Sequence, residues 1–289
     1  MVVVRLFGGL GNQLFQYATA RRVAHINNIP LKLDVSGFES YKLHRYSLKH
    51  FNIREEFASP EEIARFNDRG LGFHLSFWVQ NLLPYYRRRR VVERHFNFDA
   101  NILKISNNVY LNGYWQSEKY FKDIETLLRQ ELTLKPAPDS ANVAMGEWIR
   151  GVRAVSLHIR RRDYASDPDT QQIHGTCSLD YYAAAIAKLS ERVENPYFFV
   201  FSDDPQWAQE NLKLEHPTTF VTHNGPDKNY EDLRLISLCQ HHIIANSTFS
   251  WWGAWLSGNP DKLVFAPQKW FRTLDRNSDD IMPETWERI

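Results

Sequence analysis

The stretch AVSLHIRRRD, residues 154–163, decides the fold of this chain. It opens with an apolar run typical of a buried strand and ends in three arginines and an aspartate. In an open α/β sheet, ligands bind in the crevice outside the carboxyl ends of the strands. Guanidinium groups bind phosphate oxygens in pairs and stay charged at any working pH, so the stretch predicts a diphosphate there. The alternative is a solvated loop whose arginines pair with surface carboxylates.

Strands and helices alternate on both sides of this stretch. The chain opens with a predicted strand over residues 2–7, a glycine loop over 8–13, a helix over 14–27 and a strand over 31–35. A strand, a helix and a second strand in this order favour a parallel sheet. Further strands are predicted at 108–113, 154–159, 197–201, 219–222, 243–245 and 263–266, and further helices at 121–132, 179–193, 230–240 and from Pro205 onward.

A segment rich in proline and polar residues, KPAPDS at 135–140, separates two α/β halves. Such a composition is typical of a linker, so we place the domain boundary shortly after it. This gives one domain over residues 1–145 and a second over residues 146–289. Two such halves predict an α/β protein with two facing Rossmann-like domains and an active site in the cleft between them.

Composition excludes several classes of protein. The 289 residues carry 35 basic and 34 acidic side chains, a balance that argues against a nucleic-acid binder. The two cysteines, Cys177 and Cys239, build neither a disulfide framework nor a zinc finger, which fits a reducing compartment. The sequence shows no signal peptide and no apolar run long enough to span a membrane. We therefore expect a cytoplasmic protein, either free or at a membrane surface.

The loop GGLGNQ, residues 8–13, lies between a predicted strand and a predicted helix. Glycines let backbone amides approach a ligand closely, so the loop is a candidate binding element. One alternative is a dinucleotide fingerprint, with Gly9 and Gly11 as its first two glycines and Asp34 on a ribose hydroxyl. The third glycine of that pattern is Leu14 here, so the match is incomplete. Another alternative is a tight turn without a ligand.

Two later segments also follow predicted strands. In SDD at 202–204, we expect Asp203 to accept hydrogen bonds from a nucleoside and Asp204 to cap a helix. In NSTFSWWG at 246–253, hydroxyls and free amides at a helix start make a neutral phosphate cradle. The alternative there is ordinary capping above buried tryptophans. The tryptophans themselves are predicted to be core, at Trp251, Trp252 and Trp255.

Two charged segments could either bind a ligand or membrane, or be ordinary solvent-exposed loops. Asp167 and Asp169 resemble a short metal motif, but no second ligand cluster is near them, so we expect a solvated loop and no metal. Residues 73–86 are aromatic-rich and four arginines follow at 87–90, a pattern that suits an anionic membrane surface. The alternative is a packed helix that ends in a solvated basic turn.

Taken together, five segments resemble the bacterial α-1,2-fucosyltransferases of glycosyltransferase family 11. They are residues 8–18, 113–121, 158–163, 202–204 and 246–253, in family order across most of the chain. The His-x-Arg-Arg-x-Asp element is also shared by α-1,6- and protein O-fucosyltransferases, so it marks the donor more than the linkage. The resemblance implies a GT-B fold with GDP-β-L-fucose held mainly by the C-terminal domain. It also implies inverting, metal-independent transfer to the 2-hydroxyl of a terminal β-galactose in a surface glycan such as an O-antigen unit.

The resemblance also assigns roles to residues. It places Arg160 on the β-phosphate, Arg161 as a second donor contact and Asp163 as an orienting carboxylate or candidate base. His158 belongs to the same catalytic segment. Because it lies within the predicted strand, we expect it to be a packed, hydrogen-bonded histidine. The remaining donor contacts are Gly11, Asn12, Gln13, Asp203, Ser247, Thr248, Phe249 and Ser250, and the acceptor side includes Trp115 and Gln116. The open alternatives are a fucosyltransferase of another linkage, a nucleotide-dependent oxidoreductase and a non-catalytic GDP-sugar or glycan-binding module.

Overall fold

The computed structural model describes residues 1–40, 44–66, 82–106, 108–162, 164, 167–273 and 277–289, with the backbone alone at positions 169 and 170. The chain divides into two compact units. The N-terminal unit comprises Met1–Lys135 together with Asp279–Ile281, and the C-terminal unit comprises Pro136–Ser278 and Met282–Ile289. The division falls before the predicted boundary at residue 145, which would have cut through a helix of the C-terminal unit, Ser140–Gly151.

The N-terminal unit contains a four-stranded parallel sheet. Its strands are β1 Val2–Arg5, β2 Leu31–Asp34, β3 Arg90–Val92 and β4 Val109–Asn112, in the order β2-β1-β4-β3. The register places Val2 beside Leu31 on one side and beside Val109 on the other. The α-helices of this unit are α1 Leu10–Ile26, α2 Pro60–Ala64 and α3 Glu125–Glu131. Short 3-10 helices cover Ser36–Glu39, Leu48–His50, Tyr85–Arg87, Ala100–Lys104, Glu118–Tyr120 and Lys122–Ile124.

Helix α1 is buried almost all round, including its polar side chains. Arg21 meets Glu131 through a bidentate contact at 2.9 Å, and Arg22 pairs with Asp123 at 2.7 Å. Such partners make the burial of charge tolerable. The helix starts at Leu10 and not at residue 14 as predicted, so the last four of the six residues of the expected glycine loop form its first turn.

The C-terminal unit contains a six-stranded parallel sheet. Its strands are β5 Ala154–Ile159, β6 Tyr197–Ser202, β7 Thr218–Val221, β8 His241–Ile243, β9 Val264–Ala266 and β10 Glu287–Arg288, in the order β10-β9-β8-β5-β6-β7. The α-helices are α4 Ser140–Gly151, α5 Pro168–Ile173, α6 Leu179–Ser190, α7 Pro205–Asn211, α8 Asn229–Leu238 and α9 Thr248–Leu256, with a 3-10 helix at Pro226–Lys228.

The order of these strands identifies where a ligand can bind. From β5 the chain builds outward through β6 and β7, then returns to the other side of β5 with β8, β9 and β10. The direction of winding therefore reverses between β5 and β8. In open parallel sheets, the crevice outside the carboxyl ends at such a reversal is the usual binding position.

Many predicted elements agree with the structure. The strand at 154–159 has the predicted bounds and is buried along its whole length, which suits a central strand covered on both faces. Ser178 and Asp204 cap their helices, accepting from the amides of Tyr181 and Trp207. Three tryptophans predicted to be core are buried: Trp251, Trp252 and Trp255.

Other elements differ from the predictions. The strand expected at 243–245 lies at His241–Ile243, because two histidines, one half-buried and one buried, replace the apolar residues that mark a strand. Pro168 and Asp169, expected with Asp167 in a solvated loop, belong to α5. The described residues hold no group of side chains suited to a metal ion, and both cysteines are free thiols. Among the helices of the described part of the chain, none has the length and apolar character to cross a membrane.

Candidate functional site

Three loops of the C-terminal unit follow neighbouring strands at the point where the winding reverses. Arg160 follows β5, Asp203 follows β6, and residues 244–247 lead from β8 into α9. Because the strands are parallel, their carboxyl ends lie at one edge of the sheet. The fold thus brings together three of the segments that the sequence marked as ligand-binding.

Asp203 organises the arginine loop. Its carboxylate accepts the backbone N–H of Arg161 at 2.8 Å and that of Arg162 at 3.2 Å, and it pairs with Nη1 of Arg160 at 2.9 Å. The sequence predicted Asp203 as a nucleoside contact. In the structure its two oxygens hold the arginine loop in place, and the nucleoside contact stays a prediction.

Two of the arginines occupy defined positions. The guanidinium of Arg160 lies 5.3 Å from the ring centre of Tyr164 and remains one quarter exposed. The guanidinium of Arg161 lies 3.7 Å from the ring centre of Trp207, with Asp204 also at 3.7 Å. Stacking of this kind holds a planar guanidinium while leaving its edge available to an anion. Arg160 and Arg161 are therefore both partly exposed cations at the carboxyl end of β5.

His158 is a packed residue, as its strand position predicted. It is buried, its carbonyl accepts the Tyr182 hydroxyl at 3.2 Å, and its ring lies 5.5 Å from that of Phe249. Burial, reinforced by the charge of Arg160, lowers the pKa of His158 to about 3. So weak a base fits the packed position that its strand predicted, and a catalytic part for it stays a prediction. Asp163, the other candidate base, lies outside the described residues.

The segment before α9 is built around Asn246. Its side-chain amide donates to the carbonyls of His174 and Gly175 at 3.0 and 3.1 Å, and its Oδ1 accepts from the Cys177 thiol at 3.5 Å. Asn246 thereby joins the loop before α6 to the start of α9. The next residue, Ser247, is the N-cap of α9, so the N-terminus of this helix lies at this edge of the sheet.

The hydroxyls of this segment differ in their surroundings. Thr248 and Phe249 are half-buried, and Ser247 makes no capping bond with its side chain. Ser250 is fully buried and donates to the carbonyls of Ala245 and Ser247 at 3.3 and 3.1 Å. Its hydroxyl bonds within the fold, and its assignment as a donor contact stays a prediction.

In the N-terminal unit, Gln13 has a structural role. Its Nε2 donates to the carbonyls of Gly8 and Arg45 at 2.8 and 2.9 Å, and its Oε1 accepts the Ser47 amide at 2.9 Å. Both amide hydrogens of Gln13 and one lone pair of its Oε1 are used in these hydrogen bonds. Gln13 therefore holds two loops together. Its assignment as a donor contact stays a prediction. Gly11, also predicted, is a buried residue of α1.

The structure brings together two other predicted residues, Asn12 and Gln116. The Gln116 side-chain amide donates to Oδ1 of Asn12 at 3.0 Å. Trp115 precedes Gln116 and is buried with a positive φ of 56°, a backbone region that tryptophan rarely adopts. The beginning of α1 and the loop after β4 are therefore hydrogen-bonded to each other at the carboxyl edge of the N-terminal sheet.

Asp34 decides against the dinucleotide alternative. Its Oδ1 accepts from both the amide and the hydroxyl of Ser36, and its Oδ2 accepts the Tyr110 hydroxyl at 2.6 Å. A carboxylate that is 3% exposed and bonded in this way is not available to a ribose.

Sequence reasoning missed Glu93, which follows β3. Its carboxylate accepts the amides of Tyr114 at 2.6 Å and Trp115 at 2.9 Å. Burial raises the pKa of Glu93 to about 7, although both backbone bonds act in the opposite direction. The signal was present in the sequence, since Glu93 is the first acidic residue after the strand at Arg90–Val92. That strand was not predicted, because its first residue belongs to the run of four arginines at 87–90.

The family model for glycosyl transferase family 11 matches residues 1–289, and the chain belongs to that family. It is 35% identical over 302 residues to an α-1,2-colitosyltransferase of Escherichia coli, covering 100% of this chain and 99% of that relative. It is 32% identical over 308 residues to the O-antigen biosynthesis glycosyltransferase WbnK of Escherichia coli, covering 97% and 98%. A galactoside 2-alpha-L-fucosyltransferase of Mus musculus, Sec1, is 24% identical over 98% of this chain and 73% of its own length.

Solved structures confirm the predicted GT-B fold class. A mutant of Arabidopsis thaliana FUT1 in complex with GDP aligns with a TM-score of 0.52 at 13% identity, covering 98% of this chain and 72% of its own. NodZ α-1,6-fucosyltransferase soaked with GDP-fucose aligns with a TM-score of 0.51 at 16% identity, covering 91% and 94%. The family shows that the chain is a glycosyltransferase, so the oxidoreductase alternative is wrong.

Proposed function

We propose that this glycosyltransferase moves L-fucose from GDP-β-L-fucose to the 2-hydroxyl of a terminal β-galactose in a surface glycan, forming an α-1,2 linkage. The observation that carries the proposal is the position of Arg160. It is held by Asp203 at the carboxyl end of β5, next to the point where the winding of the sheet reverses. Family membership and the α-1,2-fucosyltransferase relatives support the choice of donor and linkage.

The chemistry follows from where charge develops. The acceptor oxygen bonds to the anomeric carbon, the bond from that carbon to the diphosphate breaks, and GDP leaves with the electron pair. The acceptor proton is released at the same time. Attack from the face opposite the leaving group inverts the β-linked donor to an α-linked product. Negative charge grows on the diphosphate, and a fixed guanidinium stabilises it more in the transition state than in the ground state.

Each element of the C-terminal unit has a part in this proposal. Arg160 meets the β-phosphate, Arg161 contributes a second cation, and the N-terminus of α9 with Ser247 and Thr248 receives phosphate oxygens. Asp203 keeps the arginine loop in place. These groups neutralise a diphosphate without a divalent ion, so we propose that the reaction is metal-independent. We assign the nucleotide to this unit and the acceptor to the N-terminal unit.

One relative favours a second donor. The bacterial relative with 35% identity over the whole chain is named as an α-1,2-colitosyltransferase. GDP-colitose is therefore the second candidate donor, with the same linkage and the same phosphate contacts.

The test is a transfer assay with purified protein, lactose and either GDP-fucose or GDP-colitose, with EDTA present. GDP release is followed and the product linkage is determined by NMR. We expect an α-1,2-linked fucosyl product with wild-type protein. Removal of Arg160 as Arg160→Ala should lower kcat by about 10²–10³-fold, by analogy with the loss of one oxyanion donor. Arg153 precedes the amino end of β5 and is more than half exposed, so Arg153→Ala is the matched control. Transfer from GDP-colitose alone would replace fucose in the proposal, and no transfer from either donor would contradict it.

The cellular setting is part of the same proposal. We place the enzyme in the cytoplasm, at the inner face of the membrane, where lipid-linked glycan acceptors are assembled. Of the four arginines at 87–90, Arg87 and Arg89 are exposed, whereas Arg88 donates to the Leu83 carbonyl and Arg90 lies over the Tyr110 ring. Arg87 and Arg89 are therefore the more exposed pair of this run, and exposed basic side chains can meet anionic headgroups. A liposome flotation assay with both changed to glutamine tests this, and binding unaffected by the change would contradict it.

A further inference from the structure

Tyr164 follows the arginine loop and contacts three parts of the carboxyl edge of the C-terminal sheet. The guanidinium of Arg160 lies 5.3 Å from its ring centre, within the distance of about 6 Å at which an aromatic face attracts a cation. The ring stacks on that of His174, with 4.8 Å between the ring centres and 15° between the planes. The hydroxyl donates to the carbonyl of Asn246 at 3.4 Å. One half-buried side chain thus touches the arginine loop, the loop before α6 and the segment before α9.

The histidine under this ring belongs to a backbone segment that the fold holds tightly. The carbonyl of His174 accepts the side-chain amide of Asn246 at 3.0 Å, and its ring lies 5.3 Å from that of the buried Phe271. The next residue, Gly175, has a positive φ of 61°, and a Cβ there would lie 2.3 Å from Cδ of Arg272. Only glycine suits both the conformation and the close approach. The surface on which the tyrosine stacks is therefore fixed.

The guanidinium of Arg160 needs more than one contact to be oriented. The carboxylate of Asp203 holds its Nη1 at 2.9 Å, and a contact at one nitrogen lets the guanidinium plane turn about that point. The Tyr164 ring supplies a second contact to the same group. Arg160 is only one quarter exposed, so its attraction to the ring is screened less than at an open surface. The neighbouring Arg161 rests on Trp207 in the same manner, at 3.7 Å.

We propose that Tyr164 is a positioning residue for the transfer reaction, which holds the Arg160 guanidinium in the orientation that meets the β-phosphate of the donor. Tyr164 acts through Arg160 and not on a reacting atom. This role rests on the proposed function, in which Arg160 binds the diphosphate. A guanidinium that is already oriented loses less entropy when the phosphate binds, and it stabilises the leaving group without reorganising.

The sharpest variant is Tyr164→Leu, which removes the ring and keeps an apolar side chain. Calorimetric binding of GDP is compared with that of GMP, which has no β-phosphate. We expect GDP affinity to fall by about threefold to tenfold, the size of one cation–π contact, while GMP affinity stays unchanged. In the transfer assay kcat should fall by a similar factor while the acceptor KM stays the same. Tyr164→Phe keeps the ring and loses only the long hydrogen bond, so it should restore binding and kcat to about the wild-type values.

Two comparisons separate positioning from a general loss of structure. If Tyr164 acts through Arg160, Tyr164→Leu should have no further effect on GDP affinity in an Arg160→Ala background. The matched control is Tyr197→Leu, since Tyr197 is also half-buried in this unit but begins β6 at the opposite edge and packs on Trp148. It should keep the wild-type ratio of GDP to GMP affinity. His174→Leu removes the stacking partner of the ring and should lower GDP affinity alone, by a smaller factor.

Three results would overturn the positioning role. The first is a folded Tyr164→Leu with the wild-type ratio of GDP to GMP affinity. The second is an equal loss of GDP affinity with and without Arg160. If Tyr164→Leu does not fold, an unaltered ratio in His174→Leu is the third. Failure of the proposed function gives a different result, namely no transfer from either GDP-sugar, or an Arg160→Ala variant that binds GDP as wild type does.

Discussion

Asp203 gives the most discriminating test of how the arginine loop is held. Its carboxylate joins three consecutive residues through two backbone amides and the guanidinium of Arg160, and only 15% of its side chain is exposed. Asp203→Ala removes all three interactions at once. Asp203→Asn keeps the shape, but it loses the charge and one acceptor oxygen. If the carboxylate holds the loop in place, both variants should lower the thermal stability of the ligand-free protein.

The size of the effect follows from these contacts. A hydrogen bond to a charged group contributes about 1.5–3 kcal/mol, and truncating one side of a buried pair leaves the other side unpaired. Arg160 is one quarter exposed, so water recovers part of this loss. We therefore expect Asp203→Ala to lower the free energy of unfolding by about 2 kcal/mol. In domains of roughly 150–250 residues, a loss of this size lowers Tm by roughly 4–8 °C. Asp203→Asn should cost about half as much, because one oxygen still accepts an amide.

The assay is thermal unfolding of ligand-free protein, followed by measurement of kcat/KM for transfer. The control is Asp261→Ala, an exposed aspartate of the same unit, which should leave Tm unchanged. Transfer by Asp203→Ala should fall by about 10²-fold, because Arg160 is no longer held against the diphosphate. Unchanged Tm together with weaker GDP binding would refute this role of the carboxylate. It would support the role that the sequence suggested, a direct nucleoside contact.

Three further results are expected. Glu93 has a pKa of about 7 in the fold, so between pH 4.5 and 7 the folded protein binds more protons there than the unfolded chain. Urea unfolding should show wild type losing stability relative to Glu93→Gln as pH rises through that range, and parallel curves would contradict this. His158 has the opposite sign, since its pKa of about 3 means that the unfolded chain binds the extra proton. Wild type should lose about 1.4 kcal/mol per pH unit more than His158→Gln between pH 6 and 4, and equal slopes would disprove it. Gly113→Ala places a Cβ 2.4 Å from Glu93 and should cost about 1–3 kcal/mol in chemical denaturation. Gly258→Ala, with nothing within 4 Å of the added Cβ, is its control, and equal stability of the two would argue against the close approach.

The central strand and its arginines could be predicted from sequence because the signal was local. Residues 154–159 are continuously buried, and the charges begin where the strand ends at Ile159. The same local chemistry gave the caps at Ser178 and Asp204. Helix α1 was placed too late because its N-cap is Gly9, which makes no side-chain bond that a sequence pattern would reveal.

The roles of individual polar residues could not be predicted, because they depend on distant partners. Gln13 bonds to residues more than thirty positions away, and Asp203 bonds to the loop after another strand. Glu93 escaped notice for the same reason, since its partners at Tyr114 and Trp115 follow a different strand. Polar residues next to a strand end are thus recognisable from sequence as a group, while the fold decides which of them face a ligand.

The measurement that tests the central claim most directly is calorimetric binding of GDP and GMP to wild type, Arg160→Ala and Arg153→Ala. The claim is that Arg160 meets the β-phosphate. GDP affinity should therefore fall by about tenfold or more in Arg160→Ala, as expected for the loss of a charge-assisted contact, while GMP affinity stays unchanged. Arg153→Ala should bind both nucleotides as wild type does. An equal loss for GDP and GMP, or no loss for either, would contradict the account.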